Sequence, residues 1–249
     1  MHSANLSRYE LLNLLDEIDA TEGEWMSIYL RPESVVQRSE RPNPIEPVAD
    51  GVLAVAALLQ DEAVQREVAR FQTGVAVFRS AAVTHVLVPP FPLVQDTARL
   101  GRPETEMLRE LVTGDRRLAF VLVTWGAYVA GLYRGASYVR HKQGTGHIHP
   151  HTKKGGSSQA RYQRRTQGQR AEFLRRAGTH IDEEFGSETV EHLFFGGNRL
   201  IVGPLMEECR FVRRHAAVLS PRTLLVKRAT LASLDGAVGQ AYSSVWFRA

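Results

Sequence analysis

Residues 117–125 are Arg-Leu-Ala-Phe-Val-Leu-Val-Thr-Trp, an almost uninterrupted apolar run. A run of this length and composition is typical of a strand that is buried on both faces of a sheet. Gly126 ends the run, and residues 127–133 and 136–141 then have the composition of two more strands. Their short glycine-containing connections predict an antiparallel meander of three strands.

Downstream of the meander, helical and strand-like segments alternate. Residues 162–185 carry Ala171, Phe173, Leu174 and Ala177 at helical spacing, with arginines on the remaining surface. We expect Gly178 to interrupt or bend this helix. The later predicted elements are a strand at 193–195, a turn or strand at 200–203, a helix at 204–215, and strands at 224–226 and 241–247. This alternation favours an α/β fold, a mixed sheet flanked by helices.

The chain upstream of the meander predicts a smaller α/β region. Ser7 is the expected N-cap of a helix over residues 7–18, with Glu10 completing a capping box. The other predicted elements of this region are a strand at 25–30, an exposed connector at 35–47, a helix at 52–71, and strands at 74–78 and 83–88. A short helix is predicted at 103–111, between this region and the meander. The prolines of segment 89–92 mark a domain boundary or a turn within one sheet. We place the boundary there, which gives domains 1–88 and 89–249.

Composition limits the class of protein. The chain has 249 residues, of which 43% are hydrophobic and 23% charged, as in globular proteins. No basic and apolar leader opens the sequence, and no run approaches the ~18 apolar residues of a membrane helix. Cys209 is the one cysteine, so an internal disulfide is excluded. We therefore expect a cytoplasmic protein that does not enter the membrane.

Positive charge is concentrated between residues 140 and 176, although the net charge is only +4. Glu172 is the one acidic residue in this range, whose basic residues are Arg140, Lys142, Lys153, Lys154, Arg161, Arg164, Arg165, Arg170, Arg175 and Arg176. A solvated helix face normally carries both signs of charge. The excess of one sign therefore favours contact with RNA or DNA phosphates.

A small polar segment lies in the middle of this basic region. It consists of Gly155, Gly156, Ser157, Ser158 and Gln159. Two glycines, two serines and a glutamine cannot form a core, and glycine permits close approach of the backbone to a ligand. We expect residues 142–166 to form a mobile basic loop that presents this polar tip.

The meander, the basic loop and the arginine-rich helix together resemble the catalytic domain of the Vms-like release factors, in their bacterial branch. That domain is similar to the Gly-Gly-Gln domain of the eukaryotic class I translation release factor. The resemblance covers about residues 85–215. Two serines separate the glycines from the glutamine in this chain, and we prefer the alignment that places the motif at residues 156–159.

The resemblance implies an RNase H-like sheet and hydrolysis of the ester that joins a nascent peptide to tRNA. It makes Gln159 the catalytic residue, on a loop formed by Gly155, Gly156, Ser157 and Ser158. The implied partners are the ribosomal large subunit, its rRNA and peptidyl-tRNA, and no cofactor is expected. The residues expected to bind RNA are Lys142, Lys153, Lys154, Arg161, Arg164, Arg165 and Arg170.

Two other functions are compatible with the sequence. His147, His149 and His151 alternate along an extended segment, a spacing that suits a transition metal and therefore a metal-dependent RNase. Such a nuclease would also need clustered carboxylates, and residues 121–162 contain no acidic residue. The second alternative is a non-catalytic factor that binds the ribosome through the same basic surface.

Overall fold

The structure is a computed structural model. It describes residues 2–35, 55, 57–146 and 158–249, and only the backbone of residues 158–160, 162 and 163. Most of the predicted connector at 35–47 lies outside the described residues, as does the start of the helix predicted at 52–71. No helix within the described ranges is both long and apolar enough to cross a membrane.

Strands and helices are mixed along the described part of the chain. The strands are β1 (His2–Leu6), β2 (Trp25–Leu30), β3 (Val75–Arg79), β4 (Thr84–Val88), β5 (Thr97–Gly101), β6 (Arg117–Thr124), β7 (Ala127–Arg134), β8 (Ser137–Thr145), β9 (His192–Gly197), β10 (Leu219–Leu224) and β11 (Ser244–Arg248). The helices are α1 (Arg8–Ala20), α2 (Glu62–Phe71), α3 (Glu106–Thr113), α4 (Ser158–Phe185), α5 (Val202–Glu208), α6 (Arg210–Arg214) and α7 (Leu231–Ala241). Short 3₁₀ turns occupy Arg199–Ile201 and Ala216–Val218.

The first compact unit comprises residues 1–114 and 239–249. Its sheet is antiparallel, in the order β1-β11-β4-β3-β2-β5. Ile28, Val77, Val86 and Phe247 contribute to its buried core, together with residues of α2. The predicted helix and capping box at Ser7 are confirmed, because the Ser7 side chain accepts from the backbone of Glu10 and the Glu10 carboxylate accepts from that of Ser7.

The proline segment connects two strands of this same unit. Residues 89–92 follow β4, and Phe91 is buried edge-to-face against Tyr242. The first compact unit continues to Gly114, whereas the sequence placed a boundary between residues 88 and 89. Prolines occur both in turns within one domain and in linkers between domains, so the sequence of residues 89–92 does not distinguish the two.

The helix predicted at 52–71 is divided in the structure. Asp61 begins α2 by accepting hydrogen bonds from the backbone of Ala63 and Val64. The backbone of Asp61 is extended, as is usual for a residue that caps a helix. Because an extended residue cannot continue a helix, the preceding helical segment ends before Asp61. The edge strands β1 and β5 were not predicted, since none of their side chains is buried and each strand has only two apolar side chains in five residues.

The second unit comprises residues 115–238. Its sheet has the order β10-β9-β6-β7-β8, with β6, β7 and β8 antiparallel and β9 and β10 parallel to β6. The predicted meander is thus confirmed, and so is the mixed α/β class. An antiparallel meander extended on the side of its first strand by two parallel strands is the strand order of RNase H-like folds.

One predicted helix of the second unit is wrong. Residues 204–215 form parts of two helices, α5 and α6, which are separated at the extended residue Cys209. The break has a long-range cause: Asp182 of α4 accepts hydrogen bonds from the backbone of Arg210 and Phe211 at 2.9 and 2.7 Å, and so caps α6. The strand predicted at 224–226 lies earlier in the chain, as β10.

Candidate functional site

The second half of α4 anchors this helix to the sheet. Phe173, Leu174, Ala177, Ile181 and Phe185 are all buried in the core of the second unit. Their spacing of three and four residues places them on one face of the helix. Residues 173–185 are therefore the part of α4 that is packed into the core.

Gly178 allows α4 to touch the chain between α5 and α6. A Cβ atom at this position would collide with the backbone carbonyl of Glu208. The helix runs through Gly178, so the interruption expected there is wrong. The glycine serves a close backbone approach, and the neighbouring Asp182 carboxylate then reaches the start of α6.

The first half of α4 lies outside the core. No described side chain between residues 161 and 172 is buried, and Arg161, Arg164 and Arg165 are exposed. At a rise of about 1.5 Å per residue, the helix extends about 22 Å from Ser158 to Phe173. We call residues 158–172 the basic arm. It carries Gln159 in its first turn, at the end farthest from Phe173.

The basic arm joins the sheet at Trp125, which directly follows β6. The Arg170 guanidinium lies over the indole ring of Trp125, 4.5 Å from its centroid. Close by along the helix, Arg176 donates a hydrogen bond to the carbonyl oxygen of Thr145 at the end of β8. Stacking and hydrogen bonding therefore hold the base of the arm, and both contacts are made by arginine.

The end of β8 is packed closely under the helix. A Cβ at Gly144 would lie 2.6 Å from the Tyr128 ring, and one at Gly146 would lie 2.6 Å from the Phe173 ring. Gly146 also donates a backbone hydrogen bond of 2.9 Å to Gly126. The strand that leads toward the polar tip is thus fixed up to its last described residue.

Two arginines of the basic region pair with acidic neighbours. Arg140 donates to Glu188 at 2.5 Å, and Arg175 pairs with Glu172 at 2.7 Å. Arg161, Arg164, Arg165 and Arg170 make no ion pair within the described part of the chain. Lys142 is a half-buried residue of β8, opposite Ala130. The structure therefore separates arginines that pair with carboxylates from those that do not.

The regular structure leaves a shorter connection than the sequence predicted. Of the expected basic loop at 142–166, residues 142–145 belong to β8 and residues 158–166 to α4. Residues such as Gln, Ala and Arg favour helix, which accounts for the early start of α4. Lys153, Lys154, Gly155, Gly156 and Ser157 lie outside the described residues, as do His147, His149 and His151. Ser158 and Gln159 begin α4.

Burial shifts the pKa of several other ionisable groups in this unit. Burial raises the pKa of the Cys209 thiol to about 12, which leaves it protonated and unreactive. Burial, with Arg116 nearby, lowers the pKa of His192 to about 4. Burial also raises the pKa of Tyr128, whose hydroxyl bonds His180 on α4. Within the described ranges, no three His, Cys, Asp or Glu side chains group as a metal site would require.

Sequence reasoning missed the capping role of Asp182 and the close backbone approach at Gly178, because their partners lie far along the chain. One face of the Trp125 ring is covered by Arg170. The spacing of Trp125 and Arg170 in the sequence contains no sign of this contact. Tyr128, at the start of β7, is buried.

Strand order and the basic arm define an α/β domain of the RNase H-like class with an exposed cationic helix. Residues 116–245 match the family described as "Actinobacteria/chloroflexi VLRF1 release factor". Because the match covers more than half of the chain, the chain belongs to that family. This agrees with the resemblance inferred from the loop and its flanking elements.

Similar solved structures are more distant. The chain is similar to the archaeal translation termination factor aRF1 at 19% identity, over 95% of this chain and 73% of that one, with a TM-score of 0.39. It is similar to Archaeoglobus fulgidus Pelota at 10% identity, over 94% of this chain and 59% of that one, with a TM-score of 0.28. No curated protein matches the chain significantly. The fold class therefore rests on the strand order, and the family on the sequence match.

Proposed function

We propose that the protein is a peptidyl-tRNA hydrolase that releases nascent peptides from ribosome-bound tRNA, most simply on a stalled large subunit. The observation that carries the proposal is the position of Gln159 in the first turn of the basic arm, in a chain of a release-factor family. The arm has the charge to follow rRNA phosphates and a length of about 22 Å with which to enter an RNA-walled cavity. The proposed site of action is cytoplasmic.

The chemistry requires a positioned water and stabilisation of a developing oxyanion. The ester of peptidyl-tRNA is already activated, so orientation of the attacking water contributes much of the rate. A glutamine amide can both donate and accept hydrogen bonds, but it has no pKa suited to a general base. Gln159 would therefore orient the water and donate to the tetrahedral oxyanion. The rRNA and the terminal ribose of the tRNA would supply the remaining polar groups.

The neighbours of Gln159 suit this role. Gly155, Gly156, Ser157 and Ser158 are small and would let the tip approach RNA backbone closely. We assign phosphate contacts to Lys142, Lys153, Lys154, Arg161, Arg164, Arg165 and Arg170. Of these, Arg161, Arg164 and Arg165 are the ones supported by exposure and by the lack of ion pairs among the described residues.

The test compares Gln159→Ala with Gln167→Ala, an exposed glutamine two turns farther along the same arm. Release of labelled peptide from peptidyl-tRNA on purified large subunits is measured in single turnover at saturating protein. We expect Gln159→Ala to slow release by about 100-fold or more, the usual cost of losing one oxyanion donor. Gln167→Ala should retain the wild-type rate, and both variants should bind the subunit equally.

Different results would favour the alternatives. Binding by all three proteins without release by any would make the chain a non-catalytic ribosome-binding factor. Release that a chelator abolishes, with cleavage of RNA in place of the ester, would favour the metal-dependent RNase and the histidines at 147, 149 and 151. Equal losses in Gln159→Ala and Gln167→Ala would remove the special role of Gln159.

A further inference from the structure

A second group of cations lies at the end of the sheet where β6, β9 and β10 finish. Arg199 and Leu200 follow β9, while Leu225, Lys227 and Arg228 follow β10, and all five are exposed. We call these five residues the strand-end surface. Nothing in the sequence singles them out, because they are separated along the chain and belong to no motif.

Sheet register places both connections at the same edge. β9 runs parallel to β6, with Gly197 opposite Val123, and β10 runs parallel to β9, with Leu224 opposite Gly196. The chain after each strand therefore leaves the sheet at the end where β6 stops. Asn198 donates its backbone N–H to the carbonyl of Val123 at 3.2 Å, which fixes the first connection.

The second connection is fixed to the same strand. The backbone N–H of Ala229 donates to the hydroxyl of Thr124, the last residue of β6, at 3.2 Å. The side chain of Val226 also packs so closely on Gly196 that a Cβ there would lie 3.0 Å from it. Lys227 and Arg228, which lie between these two contacts, are thereby held beside the end of β6 while their side chains stay in solvent.

Positive charge at this edge is not compensated. Residues 196–206 and 219–234 contain no acidic residue, and Arg199, Lys227 and Arg228 make no ion pair within the described ranges. At the opposite end of the same sheet Arg134 pairs with Asp115 at 3.2 Å. A cluster of one sign that is held in place without counter-charges is the electrostatic footprint of a polyanion site.

The edge also continues into the basic arm. Trp125 follows β6 at this same edge and carries Arg170 over its ring. We propose that the strand-end surface binds a second stretch of rRNA phosphate backbone, so that the domain docks through its sheet edge while the arm reaches inward. This inference rests on the proposed function for the choice of ribosomal RNA. Leu200 and Leu225, each 83% exposed, would lie against riboses or unstacked bases.

The test uses two matched pairs of substitutions in the full chain. Arg199→Gln/Arg228→Gln removes two arginines from the strand-end surface. Arg117→Gln/Arg134→Gln removes two exposed arginines from the opposite end of the sheet, with the same change in net charge. Affinity for vacant large subunits, and for the RNA extracted from them, is measured from about 50 to 200 mM salt.

We expect the strand-end pair to weaken binding to both probes by about tenfold near 100 mM salt and to reduce the salt slope by about 1 to 2. The opposite pair should leave affinity and slope near wild type. Melting curves of both variants check folding, which exposed arginine positions should preserve.

Other outcomes overturn the inference. Equal losses in the two pairs would mean that only net charge matters, and no loss in either would leave the strand-end surface without an RNA role. Loss on the subunit alone, with an unchanged slope, would mean contact with a ribosomal protein. Peptide release is scored separately: a wild type that binds but never releases removes the proposed activity and leaves this surface standing. If the wild type releases peptide normally and the strand-end pair binds as the wild type does, the proposed activity stands and the RNA role of the strand-end surface is removed.

Discussion

The two halves of α4 differ in almost every property except secondary structure. Residues 158–172 expose arginines to solvent, and none of their described side chains is buried. Residues 173–185 supply five buried side chains to the core and the carboxylate that caps α6. The difference shows that one helix divides two tasks along its length. Folding depends on the second half, which leaves the first half free to be shaped by a ligand.

The largest expected effect comes from truncating the anchor of the second half. Phe173→Ala should lower the free energy of unfolding by about 3–5 kcal/mol, because it leaves a cavity beside Tyr128 and Gly146. Urea unfolding followed by circular dichroism measures the change. Thr166→Ala in the first half is the control, with an expected change within about 0.5 kcal/mol. Similar losses in both variants would abolish the distinction between the halves.

Alanine substitutions of two glycines, one in each half of α4, should change the stability in opposite directions. Gly178→Ala should destabilise the protein by about 1–3 kcal/mol, because the new methyl group meets the backbone of Glu208. Gly168→Ala should stabilise it by up to about 1 kcal/mol, since nothing lies within 4 Å of that position and alanine favours helix. Thermal melts of the two variants test both signs. Two shifts in the same direction would contradict the close approach at Gly178.

Removing the cap of α6 should have an intermediate effect. Asp182→Ala leaves the backbone N–H groups of Arg210 and Phe211 without their carboxylate partner and should cost about 1–2 kcal/mol. Glu183→Ala, at the next position of α4, is the control and should change stability little. Faster alkylation of Cys209 in Asp182→Ala would report that the α5–α6 break has opened. Wild-type stability in both variants would rule out the capping role.

The smallest effect on stability is expected in the basic arm. Arg164→Gln/Arg165→Gln should change the free energy of unfolding by less than about 0.5 kcal/mol. Its affinity for large subunits should nevertheless fall, with a salt slope reduced by about 1 to 2. Arg175→Gln is the control, because that arginine already pairs with Glu172. An equal change of slope in the control would mean that the exposed arginines are not distinguished by their lack of partners.

Local signals in the sequence predicted much of the fold. The apolar run at 117–125, with a turn at Gly126, specified the meander, and Ser7 with Glu10 specified the start of α1. These elements depend on neighbours in the chain. The edge strands β1 and β5 were missed because an exposed edge imposes no apolar pattern.

Long-range contacts account for the remaining differences. The break at Cys209 depends on Asp182, and Phe91 in the proline segment packs against Tyr242. Neither partner can be identified from spacing along the chain. For the candidate site, the sequence indicated the basic residues but could not tell arginines that pair with carboxylates, such as Arg140, from those that do not. The catalytic role of Gln159 and the contacts of its loop remain predictions.

The unbroken course of α4 gives Gln159 a defined heading as well as a defined reach. One residue inserted between Gln159 and Phe173 would turn Gln159 by about 100° around the helix axis and move it by only about 1.5 Å. Removal of about seven residues, roughly two turns, would restore the heading and shorten the reach by about 10 Å. The number of residues in the basic arm therefore sets both the distance of Gln159 from the core and its direction around the helix axis. Length changes in it should be tolerated in whole turns and not in single residues.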